Sequence, residues 1–305
     1  MPELPEVETI KRDLAKVLIG RQISKVEILW AKTVAPLSPA IFQRKIAGTK
    51  ITDLERRAKM IRIKLSGPLD LLIHLKMTGQ LIFVPKLPTN PPRTTLRGSS
   101  RVVLGGFVVG GHPDKEILKS QPSKFTRLVF YFSDVSKLFF NDLRKFGWVR
   151  LADDQTIAKL FAEHGPEPLT KNFSLKYFQS ILAKYPRRPI KQTLLDQKLI
   201  AGIGNIYADE SCFLAKILPT RLAGKISTKE SQKLHQAIIS VLKLSISKKG
   251  TSSRNYVRGD GSQGGFVPHL YVYSRAGEPC KICGQRIKKI KLVGRGTHFC
   301  GHCQK

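Results

Sequence analysis

Acid is scarce in this sequence. Its 305 residues hold 22 Asp and Glu against 53 Lys and Arg, a formal net charge of +31. Such an imbalance draws a chain onto polyanions, with nucleic acid the first candidate and anionic membrane the second. Long apolar runs are missing as well. None reaches the ~18 residues that a membrane span needs, and the polar N-terminus lacks the apolar stretch of a secretory signal. A cytoplasmic location is the expectation, with no membrane partner. No internal repeat is present. Basic residues run along the whole chain instead of forming a tail, so they predict a folded basic surface. With 41% hydrophobic and 25% charged residues, the length leaves room for two or three domains and a sizeable core.

The few acids are oddly placed. The chain opens "MPELPEVETI", with Glu3, Glu6 and Glu8 beside Pro2 and Pro5. Val7, Ile10, Leu14, Val17 and Leu18 then recur at helical spacing, and Gly20 supplies a stop. Glu6 and Glu8 therefore belong in a first helical turn, where the positive end of the helix dipole favours anions. Glu3 precedes that helix and has no such account.

From about 22 to 84 the chain reads as strands, namely "QISKVEIL", "KMIRIKL", "LDLLIHLKM" and "GQLIFV". "TRLVFYF" and "KLFFND" follow later. Between these groups, 85–123 is rich in Pro and Gly and reads as a long surface excursion, with a hairpin in "RVVLGGFVVGG". From about 155 the period becomes helical, in "QTIAKLFAEHG", "SLKYFQSILAKY", "IKQTLLDQKLI", "IYADESCFLAKI" and "TKESQKLHQAIISVLKLSISKKG". The expected class is α+β, an antiparallel β-sandwich followed by helices and a small cysteine-bearing terminus. The expected boundaries are 1–152, carrying the 85–123 insertion, then 153–269 and 270–305.

Four of the five cysteines form that terminus. Cys280 and Cys283 are spaced CxxC, sixteen residues follow, and Cys300 and Cys303 repeat the spacing. Two such knuckles offer four thiolates to one structural zinc. Two disulfides would suit an oxidising compartment, for which nothing else argues. Seven Lys or Arg and no acid lie from Lys281 onward, so the element is expected to face DNA. Cys212 sits in an apolar helix and reads as a small buried hydrophobe.

Two weaker signals complete the residue-level reading. In "KLIAGIGNIYADE", a helix breaks at Gly202 and Gly204 and Asn205 can cap the next one. Its free amides suit a phosphate, although a plain helix–turn–helix packing unit fits equally. In "HLKMTGQL" and "NDLRKFGWV", Met77, Arg144 and Phe146 stand at strand ends, where such side chains can wedge a base step open. Core packing is the commoner fate of a lone Met or Phe.

Taken together, "MPELPEVE", "DLRKFG", "NIYADE" and the cysteine hairpin resemble the formamidopyrimidine-DNA glycosylases, which excise 8-oxoguanine. The likeness covers nearly the whole chain except 85–123. It implies a catalytic sandwich, a helix-two-turns-helix domain and a zinc-finger hairpin. It also implies a bifunctional glycosylase and abasic-site lyase that cuts by β,δ-elimination in base-excision repair. In that family Met1 is removed, leaving Pro2 with a free secondary amine. An α-amine with a pKa near 7.8 is roughly 10% neutral at about pH 7, over a hundredfold more than lysine. A secondary amine also forms an iminium directly, an electron sink at C1′ of the sugar. Glu3 then serves as the acid that protonates the opening sugar.

The same resemblance places Lys59 on phosphate beside the lesion and Arg295 on phosphate during the second elimination. It assigns Lys191, Asn205 and His74 to phosphate contacts. Met77, Arg144 and Phe146 fill the gap left by the flipped nucleotide, and Arg144 faces the orphaned cytosine. Arg127, Lys145 and Arg188 complete the expected DNA contacts. The loop holding Arg254, Asn255 and Tyr256 is the expected lid over the extruded base. The expected partner is damaged double-stranded DNA, met as a monomer in the nucleoid, with one zinc per chain as the cofactor.

Two departures from the family stand out. Phe125 in "KFTR" occupies a position where relatives often carry His, and the excursion replaces a short loop. The rival readings are an endonuclease VIII-like enzyme for oxidised pyrimidines and a non-enzymatic zinc-ribbon DNA binder. The first usually has Gly where Leu4 stands here, and the second has no use for a free Pro2.

Overall fold

A computed structural model describes residues 1–86, 107–109, 121–251 and 265–305. The Arg254, Asn255 and Tyr256 loop lies outside the described residues, as does most of 85–123. The described residues divide into two compact units. One holds 1–2 and those from 6 to 157, and the other holds 3–5, 158–251 and 265–305.

The first unit is built on two antiparallel sheets. Helix α1 (Leu4–Leu18) leads into strand β1 (Ile23–Ile28), helix α2 (Pro39–Ile46), β2 (Ile51–Arg57), β3 (Met60–Leu65), β4 (Asp70–His74) and β5 (Gly79–Val84). Strands β6 (Phe107–Val109), β7 (Thr126–Phe132), β8 (Lys137–Asp142) and β9 (Trp148–Ala152) follow. One sheet runs β2-β3-β4-β9 and the other β1-β7-β8-β5-β6. Alternate residues of both sheets share one core, among them Ile61, Ile63, Ile73, Leu81, Leu128, Phe130 and Phe140. Val7, Ile10, Leu14 and Leu18 of α1 join it, each burial stabilising by about 1.5–3 kcal/mol. The opposite face of the larger sheet is apolar too, with Ile82, Val129 and Phe139 buried beside Phe125 and Tyr131.

Several local expectations need correction. The 22–84 stretch contains α2 as well as strands, begun by Ser38, whose hydroxyl accepts from the Ile41 amide, and by Pro39 at the first turn. Phe107–Val109 pairs with β5, and the rest of the expected "RVVLGGFVVGG" hairpin lies outside the described residues. Glu6 lies in the first turn of α1, but Glu8 has a different task. Its carboxylate meets Arg56 at 2.9 Å, Arg12 at 2.7 Å and Lys11 at 3.4 Å. Burial pushes the Glu8 carboxyl up, and the three cations, Arg56 foremost, outweigh burial and hold it below its ordinary range.

The second unit carries α4 (Leu175–Lys184), α5 (Ile190–Leu195), α6 (Asn205–Leu214) and α7 (Thr228–Ser247) after α3 (Asp154–Ala162). Its helices close on Phe178, Leu194, Tyr207, Leu234, Ile238 and Leu242, with Cys212 in the same core. Burial drives the Cys212 thiol far above its usual range, so it remains an inert thiol, as its apolar setting predicts. Strands β10 (Lys288–Leu292) and β11 (Arg295–Phe299) form the terminal hairpin. Val293 and Gly294 between them both have positive φ, the backbone of a type I′ turn. Phe213 of α6 packs with Val272, Ile287, Cys280 and Cys300, so hairpin and helices share apolar contacts.

Candidate nucleic-acid and catalytic site

The acid at position 3 is the clearest surprise. Glu3 is 2% exposed. The Ile206 amide donates to its Oε1 at 2.9 Å and the Tyr207 amide to its Oε2 at 3.4 Å. Gly204 occupies the N-cap position of α6 and offers no side chain. The expected cap, Asn205, is the first residue of the helix instead, and its Nδ2 donates to the Gly296 carbonyl at 2.9 Å. A carboxylate 203 positions away in sequence thus fills the role assigned to the local Asn, satisfying amides that every helix leaves open. Pro2, next to it, is buried, and Met1 is exposed.

Lys191 also departs from expectation. A phosphate contact needs an accessible ammonium, yet Lys191 is 1% exposed. Its Nζ lies 2.6 Å from Asp209 Oδ1 and donates to Gly296 O and Thr297 Oγ1. The other Asp209 oxygen accepts from the His298 amide at 2.9 Å. Glu210, its neighbour, accepts the amides of Tyr271, Val272 and Tyr273. Burial raises the Glu210 carboxyl above its ordinary range despite these three donors. Asp209 thus braces the hairpin and Glu210 the 271–273 segment, roles the sequence reading missed. Their signal was available: two adjacent acids in a helix with no polar face.

Arg295 opens β11 as an exposed side chain. Its backbone neighbours are fixed by Lys191 and Asn205 through Gly296, which leaves the guanidinium accessible on a braced strand. Arg188 is half-buried, stacked on Tyr185 with its Cζ 4.1 Å from the ring centre, and paired to Asp196 at 3.2 Å.

In the first unit, the expected wedge residues share one anchor. Asp142 is buried at the end of β8, and its carboxylate accepts from the amides of Gly147 at 2.6 Å and Arg144 at 3.1 Å. It also accepts the Thr78 hydroxyl, while Thr78 Oγ1 accepts from the Arg144 amide at 3.0 Å. Met77, half-buried, is the residue before Thr78. The Met77 turn and the 143–147 loop are thereby tied together. On that loop Phe146 is 54% exposed, Arg144 stacks over its ring at 4.8 Å and the Lys145 ammonium sits 4.0 Å from the Trp30 ring centre. Gly147 is required, because a Cβ there would come within 2.7 Å of the Phe140 ring. Asp142 is a third residue that sequence reasoning passed over.

The remaining candidates have plain positions. Lys59 is buried in the two-residue turn between β2 and β3. His74 ends β4, accepts from the Lys76 amide through Nδ1 and tilts against Trp148. Arg127 reaches the carbonyls of Asp142 and Lys124, so part of its guanidinium braces the same loop. Phe125 packs against the outer apolar cluster.

The four cysteines converge as the spacing predicts. Their sulfurs all lie within 4.8 Å of one another, with Cys283 and Cys300 at 3.5 Å and Cys280 and Cys303 at 3.9 Å. No S–S bond is that long. Tetrahedral zinc with Zn–S bonds of about 2.3 Å has sulfur–sulfur edges of about 3.8 Å, so the donor set fits one structural zinc. Among the described residues no helix is long and apolar enough to cross a membrane.

Comparison with known proteins agrees along the whole length. Residues 1–149 match the formamidopyrimidine-DNA glycosylase N-terminal domain, 164–256 the H2TH domain of the same enzymes, and 277–305 the zinc finger found in FPG and IleRS. The formamidopyrimidine-DNA glycosylases of Heliobacterium modesticaldum and Chloroflexus aurantiacus are 38% and 40% identical. Each comparison covers all of this chain, with 100% and 98% of the respective relative. A point mutant of the Lactococcus lactis FPG, solved with a Fapy-dG containing DNA, is 32% identical with a TM-score of 0.84 over 100% of both chains. The Lactococcus lactis Fpg solved with an abasic site containing DNA is also 32% identical and gives 0.83 over 99% of each. This chain belongs to the formamidopyrimidine-DNA glycosylase family.

Proposed function

We infer that this protein is a base-excision repair enzyme, a DNA glycosylase and abasic-site lyase that removes oxidised purines from duplex DNA. The observation that carries the reading is the full-length family match in all three segments, joined to a buried Glu3 held by the first amides of α6. Net charge of +31 supplies the attraction for the phosphate backbone. The same reading puts the protein in the cytoplasm, on the nucleoid when bound.

Once Met1 is removed, Pro2 attacks C1′ of the lesion nucleotide through its neutral amine. The base leaves with the pair of its bond to C1′ and takes up a proton, and breaking of the C1′–O4′ bond then leaves the ring-opened sugar as a cationic iminium that drains electrons from C2′. Glu3, beside Pro2 in the chain, delivers the proton that opens the sugar. Loss of a C2′ proton then expels the 3′ phosphate, and a second elimination expels the 5′ phosphate. Lys59 and Arg295 neutralise phosphate charge during these steps. Met77, Arg144 and Phe146 occupy the space of the flipped nucleotide, with Arg144 on the orphaned cytosine. Asn205, His74, Lys145 and Arg188 add grip on the strand, and the zinc fixes the hairpin that carries Arg295.

Borohydride reduction tests this directly. Duplexes containing an abasic site and 8-oxoguanine should both be captured as covalent adducts. Capture of neither would make the protein a binding module. Capture of the abasic duplex and an oxidised-pyrimidine duplex, without 8-oxoguanine, would give it endonuclease VIII-like specificity.

A further inference from the structure

We propose that the Gly202–Ile203–Gly204 turn is a cradle for the catalytic N-terminus, and that Gly204 is a positioning residue for Glu3. The inference rests on the role assigned to Glu3 above.

The turn and the first amides of α6 meet the N-terminus at three points. The Leu4 amide donates to the Gly202 carbonyl at 3.0 Å, and the Ile206 and Tyr207 amides hold the Glu3 carboxylate. Gln197 supports the turn from behind. Its Oε1 accepts from the Gly202 amide at 2.9 Å, while its Nε2 donates to Ile203 O at 2.7 Å and Leu195 O at 3.0 Å. One neutral side chain thus fixes the backbone on which Glu3 and Leu4 rest.

The two glycines serve different ends. Gly202 has φ +94°, a conformation that favours glycine in its own right. A Cβ there would also come 2.6 Å from Leu4 Cδ1. Gly204 has φ −133° and ψ −158°, which any residue adopts without strain. Backbone freedom therefore gives no reason for glycine at 204. Space does. A Cβ on Gly204 would lie 2.3 Å from Glu3 Cδ and 2.5 Å from Glu3 Oε1. Ser, Asp or Asn would ordinarily be favoured at such an N-cap, but each would fill the place that the Glu3 carboxylate occupies. The cap is supplied by the acid, and the glycine keeps it open.

Asn205 follows directly and fixes Gly296 beside Arg295. The start of α6, which holds the acid, therefore also touches the strand bearing the arginine.

The test is Gly204→Ala in the full-length zinc-loaded protein, with wild type and Glu3→Ala alongside. Displacing a reacting group by about 1 Å costs on the order of 100-fold. Excision of 8-oxoguanine by Gly204→Ala should fall by at least that order. Nicking of a preformed abasic duplex, and its borohydride capture, should fall by less than about tenfold. Thermal stability supplies the second measurement. The alanine should lower Tm when Glu3 is present and leave it within about one degree in the Glu3→Ala background, because coupled sites are not additive. Equal losses on both DNA substrates, wild-type excision, or an additive Tm effect would each overturn the proposal. So would failure of the Glu3→Ala/Gly204→Ala double variant to fold, since the glycine would then serve something other than the carboxylate. Wild type that fails to excise 8-oxoguanine would instead defeat the functional reading on which the proposal stands.

Discussion

The Lys191 ammonium lies 2.6 Å from the Asp209 carboxylate, and neither side chain has measurable contact with solvent beyond 1%. A charge pair so placed is structural. Removing the lysine leaves Asp209 buried without its counter-ion, at a cost of roughly 3–5 kcal/mol. Lys191→Ala should therefore lower Tm steeply, while the slope of log affinity against log salt stays at its wild-type value. Arg295→Ala should do the reverse, shallowing that slope by about one unit with little loss of stability. A shallower slope for Lys191→Ala would return it to the phosphate contacts.

That contrast shows where the sequence could be read and where it could not. Strands such as "TRLVFYF" were legible because branched and aromatic residues alternate between the inner core and the outer cluster. Strand β2, "ITDLERR", was not, since only Ile51 and Leu54 are fully buried and its charged residues point elsewhere. The CxxC pairs were legible because metal geometry demands short local spacing. Glu3 had no structural account and Lys191 was given a different one, for one reason. A charge is visible in sequence, but its partner is fixed by the fold, 203 positions away for Glu3 and 18 for Lys191. Asp142 was invisible because two of its partners are backbone amides, which carry no letter, and the third, Thr78, lies 64 positions away.

Zinc removal should separate the segments of the protein. Prolonged chelation should release one zinc per chain and unfold the hairpin, abolishing DNA binding. The β-sandwich core should keep its amide protection in hydrogen exchange, because no cysteine contributes to it. Zinc-free protein that still binds duplex DNA would refute this.

The Asp142 anchor gives a prediction about opposite-base choice. Arg144→Ala should weaken the preference for cytosine opposite the lesion, with less effect on a preformed abasic site. Asp142→Ala should blunt the same preference although the residue is only 1% exposed, since it leaves the Gly147 amide without its acceptor and the Arg144 amide with Thr78 Oγ1 alone. The comparison is made on duplexes differing only in the opposite base. Unchanged discrimination in Asp142→Ala would show that the loop holds its shape without the carboxylate.

The start of α7 offers a test by pH. Arg221, with Ser227 assisting, draws the Glu230 carboxyl down to about 2, within a complete capping box. A depressed carboxyl stabilises the fold above its unfolded value near 4.5 and loses that contribution as pH falls through the folded value. The Tm gap between wild type and Glu230→Gln should be constant above about pH 5 and narrow steadily below about pH 4. A gap independent of pH would assign the loss to packing.

The opening residues carry the sharpest test of the chemistry. Adding one residue before Pro2, or blocking removal of Met1, turns the amine into a tertiary amide that is neither basic nor nucleophilic. None of the proposed phosphate contacts is altered, so affinity for lesion DNA should stay within about tenfold, a change of no more than about 1.4 kcal/mol. Glycosylase and lyase activities should both collapse, and borohydride capture should vanish. Glu3→Gln is the matching variant, for it keeps the amine and removes the acid. An amide still offers an oxygen to the Ile206 and Tyr207 amides, so the helix start should survive. Base excision should be lost while nicking of preformed abasic sites persists in part, because that sugar is already open some of the time. Normal excision by the N-terminally blocked protein would remove Pro2 as the nucleophile. Lys59, buried in the β2–β3 turn, would be the next amine to examine.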